Sequence, residues 1–144
     1  MPHPLTVIDT NVVVSGLMTD QSESPPFQIV DEMLRGSFSF LLSLDLLAEY
    51  RKVLLRPKIK KRHGLSDEEI DTILTQMTTN GMMREPQDVP TKSPDPGDQH
   101  VWDLVGIHPN TVLVTGDQAL RKMPGKHSTV FSPQEFVEKK FNRE

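Results

Sequence analysis

A short run near the start of the chain constrains the fold more than any other feature of the sequence. The segment Leu5–Ile8 is mostly apolar and rich in β-branched residues, and Asp9, Thr10 and Asn11 follow it directly. A run of this kind predicts a strand that is covered on both faces, as in a parallel sheet. Ligands of open α/β sheets bind in the crevice outside the carboxyl ends of the strands. We therefore expect the polar residues after this run to border a binding crevice.

The rest of the chain alternates predicted strands with predicted helices. Apolar runs at 38–42, 111–115 and 128–131 predict three further strands, and 82–84 predicts a short edge strand. The predicted helices begin at the capping residues Ser24, Ser43, Ser66, Asp98 and Ser132. For the helix after Ser43, the predicted buried side consists of Leu44, Leu47, Tyr50, Val53 and Leu54. The alternation is typical of an α/β fold in which helices cover both faces of a mainly parallel sheet.

Length and composition narrow the class of protein. A chain of 144 residues has the size of one domain, so we treat residues 1–144 as a single unit. Four prolines between residues 86 and 96 predict a stiff connector inside that domain. The absence of cysteine excludes disulfides and thiolate metal sites, which fits a reducing compartment. With no leader-like start and no apolar run of membrane-spanning length, we expect a cytoplasmic protein with no membrane association.

Four acidic residues are placed where they can meet at the predicted crevice. Asp9 and Asp117 each follow a predicted buried strand, Glu49 lies in a predicted helix, and Asp98 stands at a predicted helix start. For any one of them, a helix cap or a solvated acid is an adequate alternative. As a group of oxygen ligands without cysteine or a spaced histidine cluster, they favour a site for Mg2+ or Mn2+. Carboxylates held this close together need a cation to offset their repulsion.

The order and context of these acids resemble those of the PIN-domain family of metal-dependent ribonucleases. The similarity is greatest to the branch that includes toxins of bacterial toxin–antitoxin systems. Four segments carry the resemblance: Val7–Val12, Leu44–Glu49, Asp95–Asp98 and Val114–Asp117. It implies a three-layer α/β/α sandwich with a central parallel sheet of about five strands, often assembled as a homodimer.

The resemblance also implies roles for individual residues. By it, Asp9, Glu49, Asp98 and Asp117 are the catalytic and metal-binding acids, and the polar residues that support them are Asn11, Thr115 and Asp95. The implied activity is that of an endoribonuclease in which Mg2+ or Mn2+ activates the attacking water. The implied setting is a toxin that has an antitoxin protein as its partner.

Two alternative functions compete with this one, and the sequence argues against both. A PIN-like module of weak or lost activity would bind RNA or protein instead; the four intact acids argue against it, while two departures from the family pattern are consistent with a weakened second metal position and slower turnover. Ala119 stands where many relatives have a further acid, and Gly97 and Gln99 flank Asp98, where relatives often have more acids. A phosphatase with an aspartyl nucleophile would need an acid two residues after Asp9, and that position is Asn11.

One block of basic residues is the candidate contact for RNA. The net charge is -4, so a polyanion would need a local basic patch. Seven of the twelve residues from Arg51 to Arg62 are basic, and the predicted RNA-binding residues are Arg56, Lys58, Lys60 and Lys61. The alternative is a solvated helix end whose cations interact favourably with the negative end of the helix dipole.

Two residues that follow Asp98 in the sequence are further candidates. We expect His100 to lie at the surface or behind the ligands, and Trp102 to pack in the core.

Overall fold

The computed structural model describes residues 5–85, 99–108, 110–117 and 129–141. The strands in these ranges are β1 (Thr6–Ile8), β2 (Leu41–Leu42), β3 (Met82–Met83), β4 (Val112–Val114) and β5 (Thr129–Phe131). The helices are α1 (Thr10–Met18), α2 (Pro25–Arg35), α3 (Leu44–Leu54), α4 (Pro57–His63), α5 (Asp67–Asn80), α6 (Gln99–Val105) and α7 (Pro133–Phe141). None of the helices found in these ranges has the length and apolar character required to cross a membrane. The predicted connector at 86–96, which includes Asp95, lies outside the described residues, and so does Asp98.

The described strands form the parallel sheet that the sequence predicts. β4 lies between β1 and β5, and β2 pairs with β3, with every pair parallel. A parallel bridge between Thr6 and Phe40 joins the two groups, and the Thr6 N–H donates to the Ser39 carbonyl at 3.2 Å. The strand order across the described sheet is therefore β3-β2-β1-β4-β5. The three-layer α/β/α class is confirmed.

The centre of this sheet is the point at which the strand order reverses. From β1 the chain continues to β2 on one side, whereas β4 is followed by β5 on the other side. In doubly wound sheets the crevice at such a point, outside the carboxyl ends of the strands, is where ligands bind. Val7 and Ile8 of β1 and Leu113 and Val114 of β4 have no exposed surface, because helices cover both faces of these strands. The core therefore holds the two strand ends in place.

The first two helices pack unusually closely beside this crevice. A Cβ atom placed on Gly16 of α1 would lie 2.5 Å from the Pro26 carbonyl oxygen and 2.6 Å from Val30 Cγ2 of α2. Both distances are far below van der Waals contact, so only glycine allows the two helices to approach this closely. This contact fixes the position of α1, which begins directly after Asp9.

Most of the predicted helix caps are confirmed, and one is not. Ser43 Oγ accepts from the Leu46 N–H at 3.0 Å, and Ser66 and Glu69 form the reciprocal capping box at the start of α5. Ser24 stands at the cap position of α2 but its side chain makes no capping bond. Pro25 and Pro26 occupy the first two helical positions and have no N–H to donate, which leaves the N–H of Phe27 as the remaining candidate donor, and it makes no bond to the Ser24 side chain.

The predicted buried side of α3 is wrong at its first residue. Leu44 is 70% exposed, whereas Leu46 is fully buried. The helix begins at Leu44, and the buried stripe consists of Leu46, Tyr50 and Leu54, at intervals of four residues. Leu44 lies two residues before this stripe and therefore points away from the core. The strand predicted at 38–42 is also shorter than expected, since only Leu41 and Leu42 form β2.

Candidate functional site

The carboxylate of Asp9 is bound by residues from both central strands. Asp9 follows β1 and takes the cap position of α1, with Oδ1 accepting from the Thr10 N–H at 2.9 Å. Its Oδ2 accepts from Thr115 Oγ1, which follows β4, at 2.7 Å and from Asn11 Nδ2 at 3.2 Å. Asp9 is 4% exposed. The helix-capping role and a place in the crevice are therefore both true of Asp9.

Asn11 and Thr115 tie the ends of the two strands together. Asn11 Oδ1 accepts from the Gly116 N–H at 3.0 Å, and its Nδ2 also lies 3.3 Å from Thr115 Oγ1. Thr115 Oγ1 in turn accepts from the Asp117 N–H at 3.0 Å. The network sets the course of the chain after β4, and so brings Asp117 to the same edge of the sheet as Asp9.

Glu49 reaches this edge from α3, and its carboxylate is bound on both oxygens. Oε2 accepts from the hydroxyl of Thr10, and Oε1 lies 2.7 Å from Nε2 of His100. The neighbouring residue Tyr50 is fully buried, and its hydroxyl donates to the carbonyl oxygen of Ile8 at the end of β1. The Tyr50 bond anchors α3 to β1, which places Glu49 beside the start of α1.

Negative charge accumulates at this edge of the sheet in a poorly solvated environment. Burial raises the pKa of Asp9, and the charges of Glu49 and Asp117 raise it further, while hydrogen bonds from Thr115 and Thr10 oppose the shift. Burial, with the charges of Asp9 and Glu49, raises the pKa of Tyr50 well above its usual value. Such shifts are typical of functional sites, where like charges are held together.

Two adjoining hollows form a groove along the acids. The first has a volume of about 380 Å³, and its polar side is formed by Asp9, Thr10, Asn11, Glu49 and Asp117. Its apolar side consists of Val14, Met18 and Val53. The second hollow, of about 470 Å³, shares Asn11, Ser15 and Asp117 with the first and is bounded by Pro26 and Pro133. Asp9 and Glu49 therefore line the first hollow, and Asp117 lies where the two hollows meet.

The donor set fits a hard divalent cation in its chemistry. Asp9, Glu49 and Asp117 offer carboxylate oxygens, the ligands that Mg2+ prefers, and a cation would offset the repulsion that raises the Asp9 pKa. Across the described ranges, however, no three histidine, aspartate or glutamate side chains lie close enough together to hold one ion. Asp98 and Asp95, the other predicted members of the site, lie outside those ranges.

The basic block divides into paired and unpaired cations. Arg51 binds Asp71 through two bonds, of 2.7 and 3.2 Å, and Lys60 pairs with Asp67. The predicted RNA-binding residues other than Lys60 are exposed and make no ion pair within the described part of the chain: Arg56, Lys58 and Lys61. They lie on or next to α4, which packs against α1 and α3. The unpaired cations therefore lie on or next to a helix that contacts both α1, which carries Met18, and α3, which carries Val53.

Two residues that hold Glu49 were not assigned that role from the sequence. Thr10 donates to one of its oxygens and His100 contacts the other. The sequence offered only position as a signal: Thr10 follows Asp9 directly, and His100 stands two residues after Asp98. Trp102 is 3% exposed and packs in the core, as predicted.

A parallel sheet with an acid-lined groove at its switch point defines a class of α/β domains that bind ligands at that edge. A sequence model described as a PIN domain matches residues 6–119, which is well over half of the chain. The chain belongs to the PIN-domain family, whose members are generally nucleases and generally use divalent metal ions. The matched span includes all four predicted acids. A comparison with curated proteins found no match.

Proposed function

We propose that this protein is an endoribonuclease that depends on Mg2+ or Mn2+ and that cuts RNA in the groove along Asp9, Glu49 and Asp117. One observation carries the proposal: carboxylates that follow both central strands, and one from α3, line a single hollow at the switch point of the sheet. Membership of a family of nucleases supports the reaction class. The choice of RNA as substrate rests on the resemblance described above.

Four acids would hold the ion: Asp9, Glu49, Asp98 and Asp117. When bound, a divalent ion in such a site activates water and offsets the charge that develops on the phosphodiester oxygens. The chain's own contribution is to fix the ligands before the ion arrives. Thr115 and Asn11 hold Oδ2 of Asp9, and Thr10 holds both Oδ1 of Asp9, through its N–H, and Glu49, through its hydroxyl.

The groove also supplies surfaces for a strand of RNA. Val14, Met18 and Val53 add apolar surface to the lining of the first hollow, against which a base can pack. Next to it, Arg56, Lys58 and Lys61 are exposed cations for the phosphates. Lys60 would have to exchange or share its bond with Asp67 in order to contribute. The proposal therefore gives the unpaired cations the larger part in RNA binding.

An inactive module that binds RNA or protein is the second candidate. The observation in its favour is that, among the described residues, no three acids or histidines lie close enough for one ion. Such a module would keep the groove and the basic block but would neither bind a divalent ion tightly nor cut RNA. Metal binding and cleavage, measured on the same preparation, separate the two candidates.

The proposal extends to the setting that the resemblance implies. There the protein is a toxin, forms a homodimer, and is held inactive by an antitoxin protein. The support is the resemblance carried by the four segments Val7–Val12, Leu44–Glu49, Asp95–Asp98 and Val114–Asp117, which is greatest to the toxin branch of the family. Light scattering of the purified protein tests the dimer, and growth arrest on expression, lost in an Asp9→Asn variant, tests the toxin.

The direct test incubates the purified protein with a panel of RNAs in Mg2+, in Mn2+ and in chelator. We expect internal cleavage that requires a divalent ion and that the Asp9→Asn variant loses. Asp20→Asn is the matched control, because Asp20 is an exposed acid after α1 and lines neither hollow. Cleavage that persists in chelator, or in the Asp9→Asn variant, would overturn the proposal.

A further inference from the structure

The bond between His100 and Glu49 joins two elements at the edge of the groove. Nε2 of His100, on α6, lies 2.7 Å from Oε1 of Glu49, on α3. The two side chains are 19% and 26% exposed, so the bond is partly shielded from water. Because the other oxygen of Glu49 accepts from Thr10, the carboxylate is bound from α1 on one side and from α6 on the other.

The bond also fixes the imidazole ring. An ionised carboxylate can only accept hydrogen bonds, so Nε2 must carry the hydrogen. The second ring nitrogen, Nδ1, is buried and has no hydrogen-bond partner in the described part of the chain. The bond to Glu49 is therefore the polar interaction that determines which way the ring faces. A buried nitrogen without a partner costs stability. If this side chain served only to pack, an apolar residue would avoid that cost.

We propose that His100 is a positioning residue that holds Glu49 in the orientation needed to bind the divalent ion. The inference rests on the proposed function of the groove. Asp98, another proposed ligand, stands two residues before His100 in the sequence. The bond therefore connects Glu49 to the part of the chain that directly follows Asp98. A glutamate has three rotatable bonds, and a side chain that is held in advance loses less freedom when it binds an ion.

The two nitrogens of the ring allow a sharp pair of variants. The amide nitrogen of glutamine reaches the position of Nε2, whereas that of asparagine reaches only the position of Nδ1. His100→Gln should therefore keep the bond to Glu49, and His100→Asn should lose it. Residues that orient metal ligands usually contribute about 10–100-fold to metal affinity. We expect Mn2+ to bind about tenfold more weakly to His100→Asn, and within about threefold of wild type to His100→Gln.

The experiment measures Mn2+ affinity by titration calorimetry for wild type and both variants. A second measurement needs no metal: the free energy of unfolding in urea, with chelator, for His100→Asn, Glu49→Ala and the double variant. If the bond exists, the two changes are not additive. If His100→Asn and His100→Gln weaken Mn2+ binding equally, the ring of His100 only packs and the inference is wrong. Unchanged affinity in His100→Asn would overturn the inference as well.

The outcomes also distinguish this inference from the proposed function. If wild type binds Mn2+ but the unfolding energies of the two changes add, His100 does not position Glu49, and the proposed function is untouched. If wild type binds no Mn2+, the proposed function is wrong and the role of His100 in metal binding falls with it. Tight Mn2+ binding, a selective loss in His100→Asn and non-additive unfolding energies together support the inference.

Discussion

The acidic groove and the basic block are both clusters of like charge, but the fold treats them in opposite ways. In the groove, Asp9 is 4% exposed, accepts three hydrogen bonds and has a raised pKa. In the basic block, Arg51 is exposed and binds Asp71 of α5, which is also exposed, and this bond lowers the pKa of Asp71. The groove therefore holds acids that repel one another around one buried carboxylate, whereas the block holds mostly exposed cations, some of them beside counterions.

The difference supports the groove as the candidate functional site of this molecule. Exposed ion pairs such as that of Arg51 contribute little to stability, because water and salt screen them. Buried carboxylates that repel one another lower the stability of the metal-free protein, and the fold needs specific hydrogen bonds to keep them in place. A cation that binds in the groove would remove the repulsion. The groove is thus a region that a bound cation would stabilise, whereas the paired cations of the block already have counterions within the chain.

The largest expected effect is on catalysis. Asp9→Asn should lower the rate of RNA cleavage by about 10²–10³, the usual loss when one preorganised electrostatic group is removed. Asp71→Asn, the same chemical change at the counterion of Arg51, should leave the rate within about threefold of wild type. Initial rates at saturating Mn2+, with melting curves to confirm folding, give the comparison.

A second groove variant is needed because of the donors around Asp9. Asp9 Oδ2 accepts from Thr115 Oγ1 and Asn11 Nδ2. In Asp9→Asn, an amide nitrogen in place of Oδ2 would face both of these donors without being able to accept from them. Asp117→Asn changes a second carboxylate of the groove and should lose activity to a similar extent. Equal rates for Asp71→Asn and Asp117→Asn would mean that the groove is not the catalytic region.

The second prediction concerns stability. Tyr50→Phe removes the hydroxyl that donates to the carbonyl oxygen of Ile8, and both groups are buried. We expect the free energy of unfolding to fall by about 1–3 kcal/mol, because a buried carbonyl loses its partner. Arg51→Met, which breaks the exposed pair with Asp71, should change it far less. Urea unfolding of both variants measures the two effects, and a larger loss for Arg51→Met would reverse the comparison.

The third prediction tests the basic block itself. Replacing Arg56, Lys58 and Lys61 by alanine should weaken RNA binding and reduce the slope of log affinity against log salt by about 0.7 for each phosphate that is no longer neutralised. Adding Lys60→Ala should change the slope little further, because Lys60 already pairs with Asp67. Filter binding at several salt concentrations provides the slopes. A slope equal to that of wild type in the triple variant would show that the block is only a solvated helix end.

The sequence predicted the groove better than the interactions inside it. β1, β4 and the meeting of Asp9 with Thr115 follow from two apolar runs that end in polar residues, since parallel neighbours end at the same edge. The bonds of Glu49 with Thr10 and His100 join residues 39 and 51 positions apart. Periodicity describes one element at a time and contains no information on how α1, α3 and α6 converge. The exposure of Leu44 was missed for a similar reason, because the stripe of α3 that faces the core depends on how the helix packs against the rest of the fold.

The smallest expected effect is a difference in pH dependence between the two regions. Asp9 has a raised pKa in the folded protein. Its contribution to stability is therefore complete below the unfolded value of about 3.9 and is lost as pH rises through the folded pKa. Asp71 has a lowered pKa. Its contribution is present above the unfolded value and is lost as pH falls through the folded pKa.

Isosteric variants isolate these two contributions. In chelator, the free energy of unfolding of wild type minus that of Asp9→Asn should increase as pH falls from 7 towards about 4, because only wild type can bind the proton there. The same difference for Asp71→Asn should stay level over that range and decrease below it. Saturating Mn2+ at pH 7 should stabilise wild type and have a weaker effect on Asp9→Asn, since the ion binds only the folded state and needs the carboxylate. Urea unfolding at four or five pH values measures the slopes. If the difference in unfolding free energy between wild type and Asp9→Asn stays level with pH, and Mn2+ stabilises both proteins equally, Asp9 is only the cap of α1. The contrast between groove and block would then be one of burial alone.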